Sequence, residues 1–309
     1  MTRTITVAAV QAAPLAAAGL PVFGRSDTVT AFAAHVHAVR SQIAGPALLV
    51  YPEIHLFGTE DRPTAERKRL LRDAAEPLDG ELVTRLGEIA RDAGAWLVPG
   101  SVCELRPGGE PFNTALVFSP DGDLVGTYRK VFPWRPYEPF TPGDRFVTVD
   151  IPDTGRIGLS ICYDAWFPEV SRHLAWMGAD VIVNVVKTTT PDRAQEIVLA
   201  RANSIVNQVF TVSVNCAGPV GMGRSLLVDP EGAVLQESTD ATPGVLYQRL
   251  DLGHVDRVRE FGTAGTNRMW SQFLTTDAPI ELPLYSGRID PNDWTPSNHH
   301  AGDTTSGAR

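Results

Sequence analysis

The chain has 309 residues, 43% of them hydrophobic and 20% charged, enough apolar material for one large domain or two ordinary ones. That composition excludes disorder, collagen and coiled coil as descriptions of the whole chain. With 27 basic against 36 acidic side chains the formal charge is −9, a surface that repels phosphate backbones and sets nucleic acid aside as a main partner.

Arg3 and the Ala/Val-rich stretch to Leu20 have the outline of a signal peptide. Residues 5–10, however, are apolar and β-branched, and Gln11 and Pro14 interrupt the run, so it reads as a first buried strand. No apolar run reaches the roughly 18 residues of a membrane helix, and no membrane partner is expected. Ser26 or Asp27 caps a helix to about residue 43, with Val29, Phe32, Val36, Val39 and Ile43 on one stripe. Residues 47–51 form a short apolar strand, 81–92 a helix ended by Gly94, and 95–98 another strand. Three more buried strands follow at 157–161, 181–186 and 209–214, separated by helices near 168–177 and 192–206. Strands apolar on both faces and joined by helices predict an α/β fold, a sheet covered by helices.

Two stretches, 115–126 and 225–236, share the pattern of apolar strand, Pro-acid-Gly turn and apolar strand, at an offset of 225 − 115 = 110 residues. Proline presets such a turn and glycine takes its positive φ, so each is a hairpin. The pair is either a coincidence or the trace of an internal repeat. Beyond Thr275 the apolar period is lost, which sets a domain at 1–275 and a Pro-rich tail at 276–309.

Cys103, Cys162 and Cys216 are too few and too scattered for a disulfide frame or a zinc site, and suit a reducing, cytoplasmic compartment. Cys162 stands where a buried strand meets a turn, with Pro168 opening the next helix. Unpaired N–H groups and a helix dipole there favour a thiolate; the alternative is a small buried hydrophobe, as Cys103 and Cys216 are expected to be. A nucleophilic cysteine needs a base, and a Cys/His pair with His55 or His173 is one option. Carboxylates are better placed. Glu53 follows the strand at 47–51, at the strand end where such sheets bind ligands. Lys130 closes Tyr-Arg-Lys after the first hairpin, and Glu138 lies in the Pro- and aromatic-rich loop that follows. Singly, each of these charges reads as a solvated surface group.

Together they resemble the nitrilase superfamily of carbon–nitrogen hydrolases. Pro-Glu53 is similar to that family's base motif, Tyr-Arg-Lys130 to its lysine motif and Ile-Cys162-Tyr-Asp to its nucleophile motif, in the family's order. The resemblance implies a four-layer α-β-β-α sandwich with internal pseudo-symmetry. It implies a Glu53–Lys130–Cys162 triad with Glu138 beside the lysine, the backbone N–H of Tyr163 in the oxyanion hole, a thioester intermediate, and no cofactor or metal. It further implies a homodimer or higher homo-oligomer, for which Phe167, Val170, Leu174 and Met177 form a candidate stripe and the tail at 275–295 a segment lying along the partner. Tyr163-Asp164 is similar to amidase-type branches, so the expected substrate is a small amide. N-carbamoyl amides, nitriles, acyl transfer to an amine and a non-catalytic binding protein are the alternatives. Trp134, Tyr137, Lys187 and Thr188 are candidate pocket residues, with Lys187 facing either the substrate or solvent and Asp192. The chain departs from the family pattern at Phe132, where many relatives carry His, at Val206 in place of Glu, and in the segment Lys187–Thr190.

Overall fold

The strand read at residues 5–10 is β1 (Thr4–Gln11), buried along most of its length and hydrogen-bonded on both sides. It belongs to a computed structural model that describes residues 3–15, 26–59, 62–281 and 287–288. Contacts divide the chain into units 1–269 and 270–309, and every element named below belongs to the first. The end of the apolar stretch at 16–20 and most of the tail lie outside the described residues.

After β1 come α1 (Ser26–Arg40), β2 (Ala47–Val50), α2 (Thr64–Asp73), α3 (Glu81–Ala93), β3 (Trp96–Val98), β4 (Ser101–Glu104), and the hairpin β5 (Phe112–Phe118) and β6 (Leu124–Arg129). The second half brings β7 (Thr148–Ile151), β8 (Gly155–Ile161), α4 (Pro168–Trp176), β9 (Val181–Val186), α5 (Arg193–Asn207), β10 (Phe210–Asn215), and the hairpin β11 (Leu226–Val228) and β12 (Val234–Glu237). The chain then returns through β13 (Gly244–Asp251) and α6 (Gly253–Phe261).

The strands make two sheets. One runs β13-β1-β2-β3-β5-β4 with β6 also paired to β5, the other β12-β11-β10-β9-β8-β7. In each, three central strands are parallel and both flanks are antiparallel. Val7, Ala9, Leu48, Val50 and Val117 of the first sheet share one apolar cluster with Leu159, Ile161, Val183, Val185 and Val212 of the second, so the sheets lie face to face. The other face of the first sheet packs on α1 and α3 through Phe32, Val36, Leu86 and Ile89, each side chain contributing about 1.5–3 kcal/mol by burial. On the second sheet Ile197 and Ala200 of α5 meet Leu226 and Val228. Helix, sheet, sheet, helix: the layers are those the resemblance implied.

The α1 stripe is buried as its 3.6-residue spacing requires, and α3 ends at Gly94, whose φ of +56° lets its N–H cap the helix. The apolar stripe of α4 is divided between the interior and the surface. Val170 and Leu174 are buried within the chain, whereas Phe167 is half-buried and Met177 exposed, in a layer that also exposes Trp176, Val198, Ile205 and Val206. A helix stripe read from sequence shows that a face is covered, not by what. The strands β4, β7 and β13 and the helices α2 and α6 carry too little periodicity to be seen in the sequence.

Candidate active site

Glu53 is placed by a close backbone crossing. β2 ends at Val50, Tyr51 N still donates to Val98 O at 2.9 Å, and the chain then turns through Pro52. Gly100 passes against that turn at φ +92°, and a Cβ there would sit 1.8 Å from Pro52 O, so only glycine fits. The Glu53 carboxylate is buried. Its Oε1 accepts Asn113 Nδ2 at 2.7 Å and Lys130 Nζ at 2.9 Å.

Lys130 follows the last residue of β6 and is fully buried. Its N–H donates to Asn113 O at 2.9 Å and its carbonyl accepts Gly143 N at 2.8 Å, which hold the backbone on both sides. Nζ also donates to both oxygens of Glu138 at 2.8 Å, and Glu138 Oε2 accepts Trp134 N at 3.0 Å. One ammonium thus lies between two carboxylates. Burial alone would discharge it, but Glu138 and Glu53 hold its pKa well above the ordinary lysine value. Burial also pushes the Glu138 carboxyl up against the pull of Lys130.

Cys162 comes from the other sheet. β8 ends at Ile161, and Cys162 opens a 3₁₀ turn over Cys162–Trp166 with φ +47°, a left-handed conformation that costs a non-glycine residue about 1–3 kcal/mol. Asp164, wholly buried, fastens this turn: its carboxylate accepts Ile161 N at 3.0 Å, Phe132 N at 2.8 Å and Tyr128 Oη at 2.8 Å. The last two reach across to β6 and the chain just beyond Lys130, so one carboxylate ties the cysteine turn to the lysine segment. Burial pushes the Asp164 carboxyl up to about 6.

The thiol itself corrects a sequence expectation. The pKa of Cys162 is raised well above that of a free cysteine, first by burial and then by Glu53, against a smaller downward pull from Lys130. The resting group is a thiol, not the thiolate favoured by position alone. Burial, with the Glu53 carboxylate, outweighs the N–H groups of one short turn.

Behind the sulfur stands a cluster that the sequence did not reveal. Cys162 Sγ lies 3.8 Å from Thr188 Oγ1, and that hydroxyl donates to Glu196 with its oxygens at 2.8 and 2.7 Å. Arg193 Nη1 donates to Glu196 at 3.1 Å, and Thr188 N donates to Asn215 Oδ1 at 2.8 Å. Arg193 and Glu196 are three apart on α5, the spacing of an ordinary solvated ion pair, and only tertiary structure shows both to be buried.

A cavity of about 530 Å³ adjoins the trio; Glu53 and Glu138 are in its wall, with Ile54, Trp134, Tyr137 and Lys187. The Trp134 and Tyr137 rings lie tilted against each other with centroids 4.4 Å apart. Lys187 is half-buried on this wall, and the threonine beside it that lines the cavity is Thr189. Thr188 is turned inward to the sulfur and Glu196.

The histidines do not supply the partner considered for Cys162. His55 is buried against Phe32 and Tyr51, and burial lowers its pKa to about 3. His173 meets Glu169 O at 2.7 Å and stacks on Phe146. Cys103 and Cys216 are buried, and burial pushes the Cys103 thiol up to about 12. Among the described residues, no group of three or more His, Cys, Asp and Glu side chains is set to hold a metal ion, and no helix is long and apolar enough to cross a membrane.

Comparison with known proteins yields a family model described as carbon–nitrogen hydrolase, matching residues 6–260. Among curated relatives, a formamidase of Pseudomonas syringae pv. tomato is 33% identical over 207 residues, 65% of this chain and 59% of its own length. A formamidase of Bradyrhizobium diazoefficiens is 34% identical over 209 residues, 66% of this chain and 60% of its own. The matched part thus spans about three fifths of these relatives. Among solved structures, Saccharomyces cerevisiae Nit3, described as a member of branch 10 of the nitrilase superfamily, matches with a TM-score of 0.73 at 24% identity, covering 86% of this chain and 97% of that one. An amidase from Nesterenkonia sp. matches at 0.65 and 24%, covering 84% and 94%. At such identities the structural matches speak for the fold.

Proposed function

The chain belongs to the carbon–nitrogen hydrolase family, and from that premise we propose that it hydrolyses a small amide to a carboxylic acid and ammonia through a thioester on Cys162. The observation that carries the reading is Lys130 Nζ held between Glu53 and Glu138, with the Cys162 thiol close enough for Glu53 to raise its pKa and for Lys130 to lower it. The name formamidase borne by several relatives supports an amide as substrate.

Because the thiol is protonated at rest, its proton must leave as sulfur attacks. Glu53 takes that proton while the C–S bond forms and the carbonyl electrons move to oxygen. Lys130, an ammonium with no freedom to reorient, and the N–H of Tyr163 stabilise the oxyanion. Collapse of the intermediate breaks the C–N bond, and Glu53 hands the proton to departing ammonia. Water then attacks the thioester and gives a proton to Glu53. The second collapse expels the sulfur, which recovers that proton. Glu138 keeps Lys130 charged and in place. Thr188, with Glu196 behind it, accepts the resting S–H and orients the sulfur. Nothing in this cycle consumes a cofactor.

The test is ammonia release from a panel of simple amides, N-carbamoyl amines and nitriles. Turnover of amides, with none of it left in Cys162→Ala, is the expected result. Preference for nitriles or carbamoyl amines would replace the substrate class, and no turnover of any member would overturn the enzymatic reading.

A further inference from the structure

The helix α2 carries Arg67, Lys68, Arg69 and Arg72, with Arg62 just before it, in an otherwise acidic chain. Three of these are tied to acids: Arg62 to Glu66 at 3.8 Å, Arg69 to Asp73 at 3.1 Å, and Arg72 to Glu110. Arg67 is different. Its side chain lines the cavity beside the Glu53–Lys130–Glu138 trio, its Nε is buried, and that N–H has no hydrogen-bond partner. Half-buried on the cavity wall and in none of the ion pairs among the described residues, the Arg67 guanidinium is a cation without a carboxylate of its own beside the reacting groups, the complement of a ligand anion. Lys187 adds a second cation to the same wall, whereas the two carboxylates there already share Lys130. Leu71, Phe140 and Val220 supply apolar wall.

We infer that Arg67 forms a carboxylate-binding subsite, so that the substrate is an amide whose acyl part carries a second, anionic end on a short apolar spacer. The inference rests on the amide-hydrolase reading above and narrows it. A guanidinium presents paired donors that match a carboxylate in a planar fork, which a neutral amide of the same length cannot use.

The experiment has two arms. In the first, kcat/KM is measured for the monoamides of four- to six-carbon dicarboxylic acids and for neutral amides of matching length, in the wild type, Arg67→Met and Arg67→Lys. The wild type should favour the monoamides, and Arg67→Met should lower the ratio of anionic to neutral kcat/KM about 10- to 100-fold through KM, the effect of losing a charge-assisted hydrogen bond. Arg67→Lys should recover part of it. An unchanged ratio overturns the subsite. In the second arm, calorimetry measures glutarate against butyrate on Cys162→Ala, with and without Arg67→Met. Glutarate should bind more tightly than butyrate only where Arg67 is present; equal binding in both backgrounds overturns the subsite even if no amide is turned over. Failure of the amide reading, by contrast, would show as no turnover in the first arm alone.

Discussion

The hairpins of the two sheets repeat each other bond for bond. Ser119 N donates to Asp123 O and Asp229 N to Ala233 O, both at 2.9 Å; Gly122 and Gly232 close the turns at φ +86° and +83°. The register slips at Val117/Phe118 in one and at Leu227/Val228 in the other, and Arg91 and Arg201 donate from α3 and α5 to the respective turns. Beyond the hairpins the halves part. β6 runs inward to buried Lys130, whereas β12 is half-exposed along its length. The first half brings the charged trio, the second the sulfur with Thr188 and Glu196 behind it. Repeated backbone supplies a frame; chemistry enters only at the strand ends, where the frame leaves the sequence free.

The division can be broken from either side. Cys162→Ala should abolish turnover with an unchanged melting temperature or a slightly altered one, while Cys103→Ala and Cys216→Ala keep most of the activity. A dead Cys103→Ala that is still folded would put the nucleophile in the wrong half. On the charged side, Glu53→Gln keeps the size but cannot take a proton, and steady-state kinetics should show a loss of about 10²–10⁴-fold. Lys130→Ala should cost about 10²–10³-fold in kcat and also stability, since it leaves two buried carboxylates facing each other. Glu138→Gln should cost less than either. Should it cost the most, Glu138 and not Glu53 is the base.

Alkylation sharpens the electrostatic link between the halves. A thiol whose pKa is raised holds less thiolate at neutral pH, so iodoacetamide should inactivate the enzyme at pH 7 more slowly than it consumes a free thiol. The rate should keep climbing through pH 9, and fall further in Lys130→Ala, which removes a downward influence on the thiol. An inactivation rate that is already at its plateau by pH 7 would show a resting thiolate.

The smallest effect compares the turns. Alanine at Gly122 or Gly232 meets the same strain of positive φ, about 1 kcal/mol. At Gly122 the new Cβ would lie 2.6 Å from the backbone oxygen of Gly87; at Gly232 it meets the end of the Ile205 side chain, which can turn aside. Chemical denaturation should therefore find Gly122→Ala the more destabilised of the two. Equal losses would mean that α3 yields as readily as a side chain.

Much of this was legible in the sequence, for physical reasons that differ by element. Buried parallel strands such as β8 and β9 announce themselves as apolar runs, and the Pro-acid-Gly turns as turns. The carboxylates and lysine of the trio stand just past such runs, and resemblance to a family joined them where spacing could not. Other features depend on what lies across space. Arg67 and Glu196 look like helix surface until the opposing elements are in place, and the Cys162 pKa follows from neighbours 109 and 32 positions earlier, whose influence a local reading of dipoles cannot contain. Val170 and Leu174 show the same limit in an apolar face.

Asp164 joins the cysteine turn to Tyr128 and Phe132, and only when the two sheets have met can it do so. A sulfur hot enough to open an amide is a hazard in a nascent chain, where it meets oxidants and stray electrophiles before its pocket exists. Here the base and the ammonium that act on that sulfur are made by a different stretch of chain from the sulfur itself. The first half leaves the ribosome with its base and ammonium but nothing to activate; the second arrives with a thiol and no base. On the proposed mechanism, reactivity therefore appears with the last step of assembly and disappears with the first step of its undoing, so that the catalyst is armed only as a finished object.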